Sequence, residues 1–248
     1  MSYLKPALLL LLCTAVIYGL ALALIAVKQR SFLFFPTHQA PTTSLTLWQI
    51  EEQIVGYARE VKDPASVWLM LHGNAGEAAH RDYILRSLSP RTSVYILEYP
   101  GYGLRGGSPS RASIDEAASA GYRYLRERYA RMPISVIGES IGSGPACHLA
   151  SESTPPNRIV LITPFSSLLA LAAERLPLVP VGWLLRDRWD NIAALKGYSG
   201  PLDVYGAIHD EVIPFRHAEA LARATGARFV SVASGHNDWV DTGVVRLD

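Results

Sequence analysis

One serine lies between two glycines at a predicted turn, in the motif Gly138-Glu-Ser140-Ile-Gly142. An apolar, β-branched run at residues 134–137 leads into this motif, and a stretch of small residues at 142–150 with helical character leads out of it. A tight turn between a strand and a helix exposes a serine hydroxyl for nucleophilic attack. The pattern therefore predicts that Ser140 is a nucleophile, with a chemically inert Gly/Ser turn as the alternative.

A serine hydroxyl is a poor nucleophile until a neighbouring base takes its proton. Where a serine is presented at such a turn, its acid and histidine partners follow it in the chain in that order. Asp210 follows the apolar run at residues 202–205, and His236 follows the run at 229–232. The carboxyl ends of parallel strands meet at one edge of a sheet, where functional groups gather. We therefore predict that His236 is the general base and acid, and that Asp210 orients its imidazole.

Other histidines and carboxylates could compete for these two roles. Chain order predicts structural or surface roles for His72, His80, His148, His209 and His217. Glu211 adjoins Asp210 and is expected to point elsewhere, and Asp238 is too close to His236 in sequence for a hydrogen bond between loops. Glu139, next to the serine, is expected to be an ordinary residue that fills the turn.

A tetrahedral oxyanion needs two backbone donors aimed at it. The first predicted donor is the N–H of Ile141, directly after the serine. The second is the N–H of Asn74, in the segment Leu71-His-Gly-Asn-Ala-Gly76, which ends an apolar run and opens a predicted helix. The segment Tyr99-Pro-Gly-Tyr-Gly103 is also glycine-rich, but it lacks the spacing of phosphate-binding loops and is predicted to be structural.

The elements that position these residues alternate between two kinds. Near-continuous apolar runs predict buried strands at residues 67–71, 94–97, 134–137, 159–162, 202–205 and 229–232. Segments with helical periodicity lie between them, such as 114–128 and 215–224. This alternation predicts an α/β fold with a mostly parallel central sheet and helices on both faces. Residues 43–58 alternate in polarity and predict antiparallel edge strands, and the leucine-rich segment 165–189 predicts a short cap.

The N-terminal region is apolar and uncharged from residue 6 to residue 27, which is 22 residues. As a helix this stretch is roughly 33 Å long, enough to cross the hydrocarbon core of a bilayer. A cleaved signal peptide is the alternative, but the apolar cores of such peptides usually run to about 7–15 residues. We predict a retained anchor. Positive charge lies on both flanks, at Lys5 on one side and at Lys28 and Arg30 on the other. The charges therefore leave open on which side of the membrane the domain lies.

Composition narrows the class of partner. The 248 residues carry a formal net charge of +1, and no basic stripe of a nucleic-acid-binding protein is visible. The two cysteines, Cys13 and Cys147, are not predicted to form a disulfide, because one would lie in a membrane and the other in a core. Neither C-x-x-C nor H-E-x-x-H occurs, so neither a metal nor another cofactor is predicted.

Taken together, these motifs resemble the membrane-anchored α/β-hydrolases, a group related to the serine-aminopeptidase-like hydrolase domains that includes the α/β-hydrolase-domain depalmitoylases. The matching stretches are Phe34-Phe-Pro36, Leu71-His-Gly-Asn-Ala75, Tyr99-Pro-Gly-Tyr-Gly103, Gly138-Glu-Ser-Ile-Gly142, Thr163-Pro-Phe-Ser-Ser-Leu168, Asp210-Glu-Val-Ile-Pro214 and Gly235-His-Asn-Asp238. The resemblance implies an α/β-hydrolase fold and a Ser140–Asp210–His236 triad. The loop Tyr205-Gly-Ala-Ile-His-Asp210 departs from the family pattern but keeps its glycine and its acid.

The predicted organisation is an anchor over residues 1–30 and an α/β-hydrolase domain over residues 31–248, with the cap at about 165–195. The predicted function is hydrolysis of an acyl ester or thioester through an acyl-serine intermediate. The expected substrate is a small or lipid-like acyl compound, or an acylated protein, near the membrane. A peptidase or amidase of the same fold and a catalytically silent, membrane-anchored binding protein are the alternatives. The oligomeric state is left open.

Overall fold

The computed structural model describes residues 4–39 and 42–247 and contains one eight-stranded sheet in the order β1-β2-β4-β3-β5-β6-β7-β8. The strands are β1 (Thr46–Ile50), β2 (Gln53–Arg59), β3 (Ser66–Leu71), β4 (Thr92–Leu97), β5 (Ile134–Glu139), β6 (Ile159–Ile162), β7 (Leu202–Ala207) and β8 (Arg228–Val232). Strands β4, β3 and β5 to β8 pair in parallel, whereas β1 and β2 pair antiparallel at one edge. The predicted fold class and the antiparallel edge strands are confirmed.

Side chains of the central strands are buried on both faces of the sheet. In β3, Val67, Leu69 and Leu71 belong to the apolar cluster on one face. Trp68 and Met70, which alternate with them, belong to the cluster on the other face. This two-sided burial explains why the strands are near-continuous apolar runs in the sequence.

Among the described residues, seven α-helices accompany the sheet. They are α1 (Leu4–Leu33), α2 (Arg111–Arg128), α3 (Ser143–His148), α4 (Leu168–Arg175), α5 (Val181–Leu184), α6 (Asn191–Ala194) and α7 (Arg216–Thr225). The part of the chain that the structure describes also has 3₁₀ segments at Ala78–Ser87, Ser140–Gly142, Leu149–Ser151 and Trp239–Thr242. Helices α4, α5 and α6 follow β6 and occupy the region predicted to be a cap. The base of this region is fixed by a bridge between Ser167 and Asp190.

Helix α1 is exposed over its N-terminal part and packs on the domain at its C-terminal end. Within the described ranges it is the one helix long and apolar enough to cross a membrane, by length and composition. It continues to Leu33, past the predicted boundary at residue 30. The reason is tertiary: Gln29 is bonded to the backbone of Leu184 and Arg186, and Arg30 forms an ion pair with Asp187 at 2.8 Å. These contacts stabilise the last turn of α1 against the cap.

Candidate active site

Ser140 occupies a strained turn directly after β5. Its φ is +53°, in the left-handed region that non-glycine residues rarely adopt. The flanking glycines are required by close packing, because a Cβ on Gly142 would lie 2.0 Å from the carbonyl oxygen of Leu71. A Cβ on Gly138 would lie 2.6 Å from the Cβ of Ala146. Residues in this conformation are enriched at functional sites, and here it presents the serine at the carboxyl edge of the sheet.

The structure brings Ser140, His236 and Asp210 into one chain of hydrogen bonds. Ser140 Oγ lies 2.8 Å from His236 Nε2, and His236 Nδ1 lies 2.7 Å from Asp210 Oδ2. A carboxylate only accepts, so Nδ1 carries the proton and Nε2 is free to accept from the serine hydroxyl. The His236 and Asp210 side chains are 7% and 2% exposed, which shields both hydrogen bonds from water.

The loop after β7 fixes the carboxylate of Asp210. Its Oδ1 accepts from the backbone N–H groups of Val212 and Ile213 at 2.9 and 2.7 Å, while Oδ2 faces His236. Both oxygens are therefore bonded, and the carboxylate has one preferred orientation. This is the property required of a group that holds an imidazole in a single tautomer.

The predicted oxyanion loop lies beside the serine. A Cβ on Gly73 would be 3.7 Å from the Cβ of Ser140, so the two backbones are in close contact. A cavity of about 240 Å³ lies at this point, lined by Phe35, Gly73, Asn74, Ala75, Arg81, Glu139, Ser140, Val212, His236 and Asn237. Asn74 thus shares a cavity with the serine, and Ile141 follows the serine in the 3₁₀ turn. Their roles as oxyanion donors stay predictions.

Two tyrosines of the loop after β4 support the oxyanion loop. Tyr99 donates its hydroxyl to the carbonyl of His72 at 2.7 Å, and its ring stacks on the imidazole of His72 at 4.2 Å. Tyr102 donates to Oδ1 of Asn74 at 2.9 Å. The glycine-rich loop therefore positions the neighbouring loop, which agrees with its predicted structural role.

Glu139 differs from the expectation that it merely fills the turn. Its side chain is buried and accepts hydrogen bonds from Tyr83 Oη at 2.7 Å, Trp239 Nε1 at 2.9 Å and Gly73 N at 3.1 Å. Gly73 precedes Asn74, and Trp239 lies three residues after His236. One carboxylate therefore joins the serine turn to the oxyanion loop and the histidine loop. Its position next to the nucleophile, at the end of a wholly buried strand, was the available sequence signal.

The surroundings of Glu139 are electrostatically matched to a negative charge. Burial raises the pKa of the Tyr83 phenol well above its ordinary value, and the Glu139 charge raises it further, so Tyr83 stays a donor. Burial lowers the pKa of Arg81, but the interactions with Tyr83 and Glu139 outweigh this effect and raise it overall. Arg81 therefore stays cationic and offsets part of the cost of burying a carboxylate.

The competing histidines lie outside this chain of hydrogen bonds. His72 is buried within the predicted oxyanion loop, and His209 is exposed. His217 is buried, with its Nδ1 2.9 Å from Ser166 Oγ and its Nε2 3.2 Å from Glu174 Oε2. Among the described residues, no cluster of three or more metal-ligating side chains occurs.

Comparison with known proteins identifies relatives of this chain by sequence. No protein-family model matches the sequence. An uncharacterized protein of Mycobacterium tuberculosis is 33% identical over 68% of this chain and 62% of its own length. The lysophosphatidylserine lipase of Danio rerio is 31% identical over 66% of this chain and 48% of its own length, and α/β-hydrolase domain-containing protein 17C of Homo sapiens is 30% identical over 71% and 54%. The chain thus spans about half to just under two thirds of these curated relatives.

A solved structure agrees with the sequence relatives. An esterase of Pyrococcus furiosus superposes with a TM-score of 0.63 over 84% of this chain and 94% of that chain, at 14% identity. At this identity the match concerns the fold. The relatives and the shared architecture together confirm the predicted resemblance to the α/β-hydrolases and the predicted α/β-hydrolase fold.

Proposed function

We propose that this chain is a serine hydrolase that cleaves an acyl ester or thioester, with Ser140 as its nucleophile. The observation that carries the proposal is the chain of contacts from Ser140 Oγ to His236 Nε2 and from His236 Nδ1 to Asp210 Oδ2. A hydroxyl, an imidazole and a buried carboxylate in this order activate a serine for acyl transfer. The name of the Danio rerio relative, a lysophosphatidylserine lipase, supports an acyl ester as the substrate class.

In the proposed first half-reaction, His236 accepts the proton of Ser140 while Oγ forms a bond to the substrate carbonyl carbon. The carbonyl π electrons move to oxygen, and the N–H groups of Ile141 and Asn74 donate to this oxyanion. When the tetrahedral species collapses, the His236 imidazolium protonates the departing alkoxide or thiolate. Ser140 is then acylated.

In the second half-reaction, His236 takes a proton from a water molecule as that water attacks the acyl carbon. The second tetrahedral species collapses and expels Ser140 Oγ, which recovers its proton from His236 as the free acid leaves. Asp210 keeps the imidazole in one tautomer and stabilises its charged form throughout. The backbone bonds from Val212 and Ile213 support this role by holding the carboxylate still.

We further propose the domain division expected from the sequence, with an anchor over residues 1–30, a hydrolase domain over 31–248 and a cap at about 165–195. The large exposed side chains of α1, from Leu8 to Leu24, support insertion in a bilayer. The domain would then meet its substrate at the membrane. A lipid-like acyl compound or an acylated protein is the class of partner that fits.

The test is to replace Ser140 with Ala and to measure both probe labelling and turnover. A fluorophosphonate probe should label the wild-type protein and fail to label Ser140→Ala, and ester hydrolysis should fall by more than about 10³-fold. Ser151→Ala, at a surface serine, is the matched control and should keep both. Unchanged hydrolysis in Ser140→Ala would refute the proposal. A preference for aminoacyl amides over esters would favour a peptidase, and a wild-type protein that takes no label would favour a silent binding protein.

A further inference from the structure

A second cavity, which shares no lining residue with the catalytic cavity, lies between the anchor helix and the cap. Its volume is about 410 Å³, within the range of roughly 300–1,000 Å³ typical of small-molecule sites. We name it the anchor–cap cavity. Its lining is formed by Ile25, Gln29, Phe32, Leu33, Ala172, Arg175, Leu176, Val179, Val181, Leu184 and Leu185. All but Gln29 and Arg175 are apolar, so an apolar ligand suits this space.

We infer that the anchor–cap cavity binds the long acyl chain of the substrate, which enters it from the bilayer. This inference rests on the proposed acyl hydrolase function and specifies where the acyl chain lies. Three features of the structure support an acyl chain, rather than a free apolar solute, as the occupant. They are the distance that the cap extends along α1, the apolar composition of the cap segment, and the hydrogen bonds that join the cavity walls to the active site.

The cap extends far along the anchor helix. At one end, Arg30 pairs with Asp187 at 2.8 Å. At the other end, the Tyr18 hydroxyl donates to the carbonyl of Leu178 at 2.6 Å. Tyr18 and Arg30 are twelve residues apart, or about 18 Å along a helix. If Arg30 lies at the aqueous interface, Leu178 reaches well into a hydrocarbon core that is about 30 Å thick.

The cap segment at residues 176–185 is suited to that depth. It contains no charged residue, and Leu178 and Trp183 are 82% and 91% exposed. Its backbone bonds are largely internal, since Val179 donates to Leu176, Val181 to Val179 and Leu185 to Val181, while positions 177 and 180 are prolines without an N–H. Backbone groups in hydrocarbon must be satisfied internally. This segment largely meets that condition, and the hydrogen bond from the Tyr18 hydroxyl satisfies the carbonyl of Leu178.

Both walls of the anchor–cap cavity are bonded to residues that line the catalytic cavity. On the anchor side, the carbonyl of Leu33 accepts from the side-chain amide of Asn74. On the cap side, Arg175 donates to the carbonyls of Glu211 and Val212 at 2.6 and 2.7 Å. Asn74 and Val212 both line the catalytic cavity together with Ser140. An ester carbonyl at Ser140 is thus flanked by the two walls between which its acyl chain would run.

The test compares two substitutions on one helix. Ala172 lines the anchor–cap cavity, whereas Ala170 on the same helix is exposed and lies outside it. Full-length Ala172→Phe and Ala170→Phe, reconstituted in phosphatidylcholine vesicles, are assayed with p-nitrophenyl acetate and p-nitrophenyl palmitate. In Ala172→Phe, kcat/KM for palmitate should fall by at least about tenfold, the loss expected when two or more methylenes lose their burial. Its kcat/KM for acetate, and both values in Ala170→Phe, should stay within about twofold.

Failure of this inference is separable from failure of the proposed function. A wild-type protein that cleaves neither ester overturns the proposed function and this inference with it. A wild-type protein that cleaves both, with Ala172→Phe losing both equally or neither, overturns this inference alone. Labelling of Ser140 by a short ethyl fluorophosphonate reports whether Ala172→Phe keeps a folded active site. If labelling is lost, the comparison is made with Ala172→Leu instead. Palmitoyl glycerol and an S-palmitoyl peptide are assayed in parallel to show whether the acyl chain comes from a lipid or from a protein. The compound that is cleaved should show the same fall in kcat/KM in Ala172→Phe.

Discussion

Replacing Glu139 with Gln should impair both stability and turnover without touching any member of the proposed triad. The carboxylate is buried and every neighbour within hydrogen-bonding distance is a donor: Tyr83 Oη, Trp239 Nε1 and Gly73 N. A glutamine has nearly the same shape, but one of its terminal atoms becomes an NH₂ group that cannot accept. Whichever way the amide lies, Gly73 or Trp239 loses its acceptor and faces another donor.

The magnitude follows from that geometry. A buried donor left without a partner costs about 1–3 kcal/mol, and a bond to a charged acceptor contributes about 1.5–3 kcal/mol. We therefore expect the free energy of unfolding to fall by about 2–3 kcal/mol, or roughly 4–12 °C in Tm for a domain of this size. Loss of a whole oxyanion donor costs about 10²–10³-fold in kcat. Loosening the loop that carries Asn74 should cost less, roughly tenfold in kcat, with KM changed little.

The assay combines thermal unfolding with steady-state hydrolysis of a short ester. Glu116→Gln, at an exposed glutamate on α2, is the control and should leave both unchanged. A double-mutant cycle with Trp239→Phe isolates one contact, and its coupling energy should lie in the range of about 0.5–3 kcal/mol. If Glu139→Gln matches the control in Tm and kcat, or if the cycle shows no coupling, the reasoning about Glu139 is wrong.

Two further substitutions test the close packing at Gly142 and the lowered pKa of His217, which lies outside the catalytic hydrogen bonds. Gly142→Ala places a Cβ 2.0 Å from the carbonyl oxygen of Leu71, so denaturant unfolding should show a loss of about 3 kcal/mol or more, whereas Gly106→Ala, with open space around it, should be nearly neutral. Burial, together with the charges of Arg216 and Arg175, lowers the pKa of His217, so the unfolded chain binds a proton that the folded protein resists. The stability of the folded protein should therefore fall as the pH drops below about 6.5. His217→Gln should weaken this dependence of stability on pH, whereas His209→Gln should leave it unchanged. An unchanged pH dependence in His217→Gln would contradict the assignment.

The main features of the sheet and the order of the candidate site residues could be predicted because each depends on local sequence. A two-sided sheet makes its strands apolar throughout, and residues that follow such strands must gather at one edge. The contacts of Glu139 could not be predicted in the same way. Its donors lie 66, 56 and 100 residues away in the chain, and no local pattern links Gly73, Tyr83 and Trp239.

The end of helix α1 was equally hard to predict. Hydropathy indicates where an apolar stretch stops, and the charge at Lys28 suggested a boundary near residue 30. From the sequence, Gln29 and Arg30 are expected to be polar residues that flank the apolar stretch. In the structure Gln29 is buried, and its amide is bonded to the cap. The helix therefore continues to Leu33, because a tertiary surface packs against its last turns. Such a surface cannot be read from the helix sequence alone.

That last turn has a mechanical consequence for the candidate active site. The Asn74 side chain donates to the carbonyl of Leu33, and its Oδ1 accepts from the N–H of Phe35 at 3.3 Å. Just beyond, the backbone at 35–37 exchanges two hydrogen bonds with Gly76. The C-terminal end of α1 and the oxyanion loop are therefore one packed unit, since the loop is bonded on both sides of Pro36. Movement of α1 relative to the rest of the chain should therefore be transmitted to the loop that carries Asn74, which lines the same cavity as Ser140.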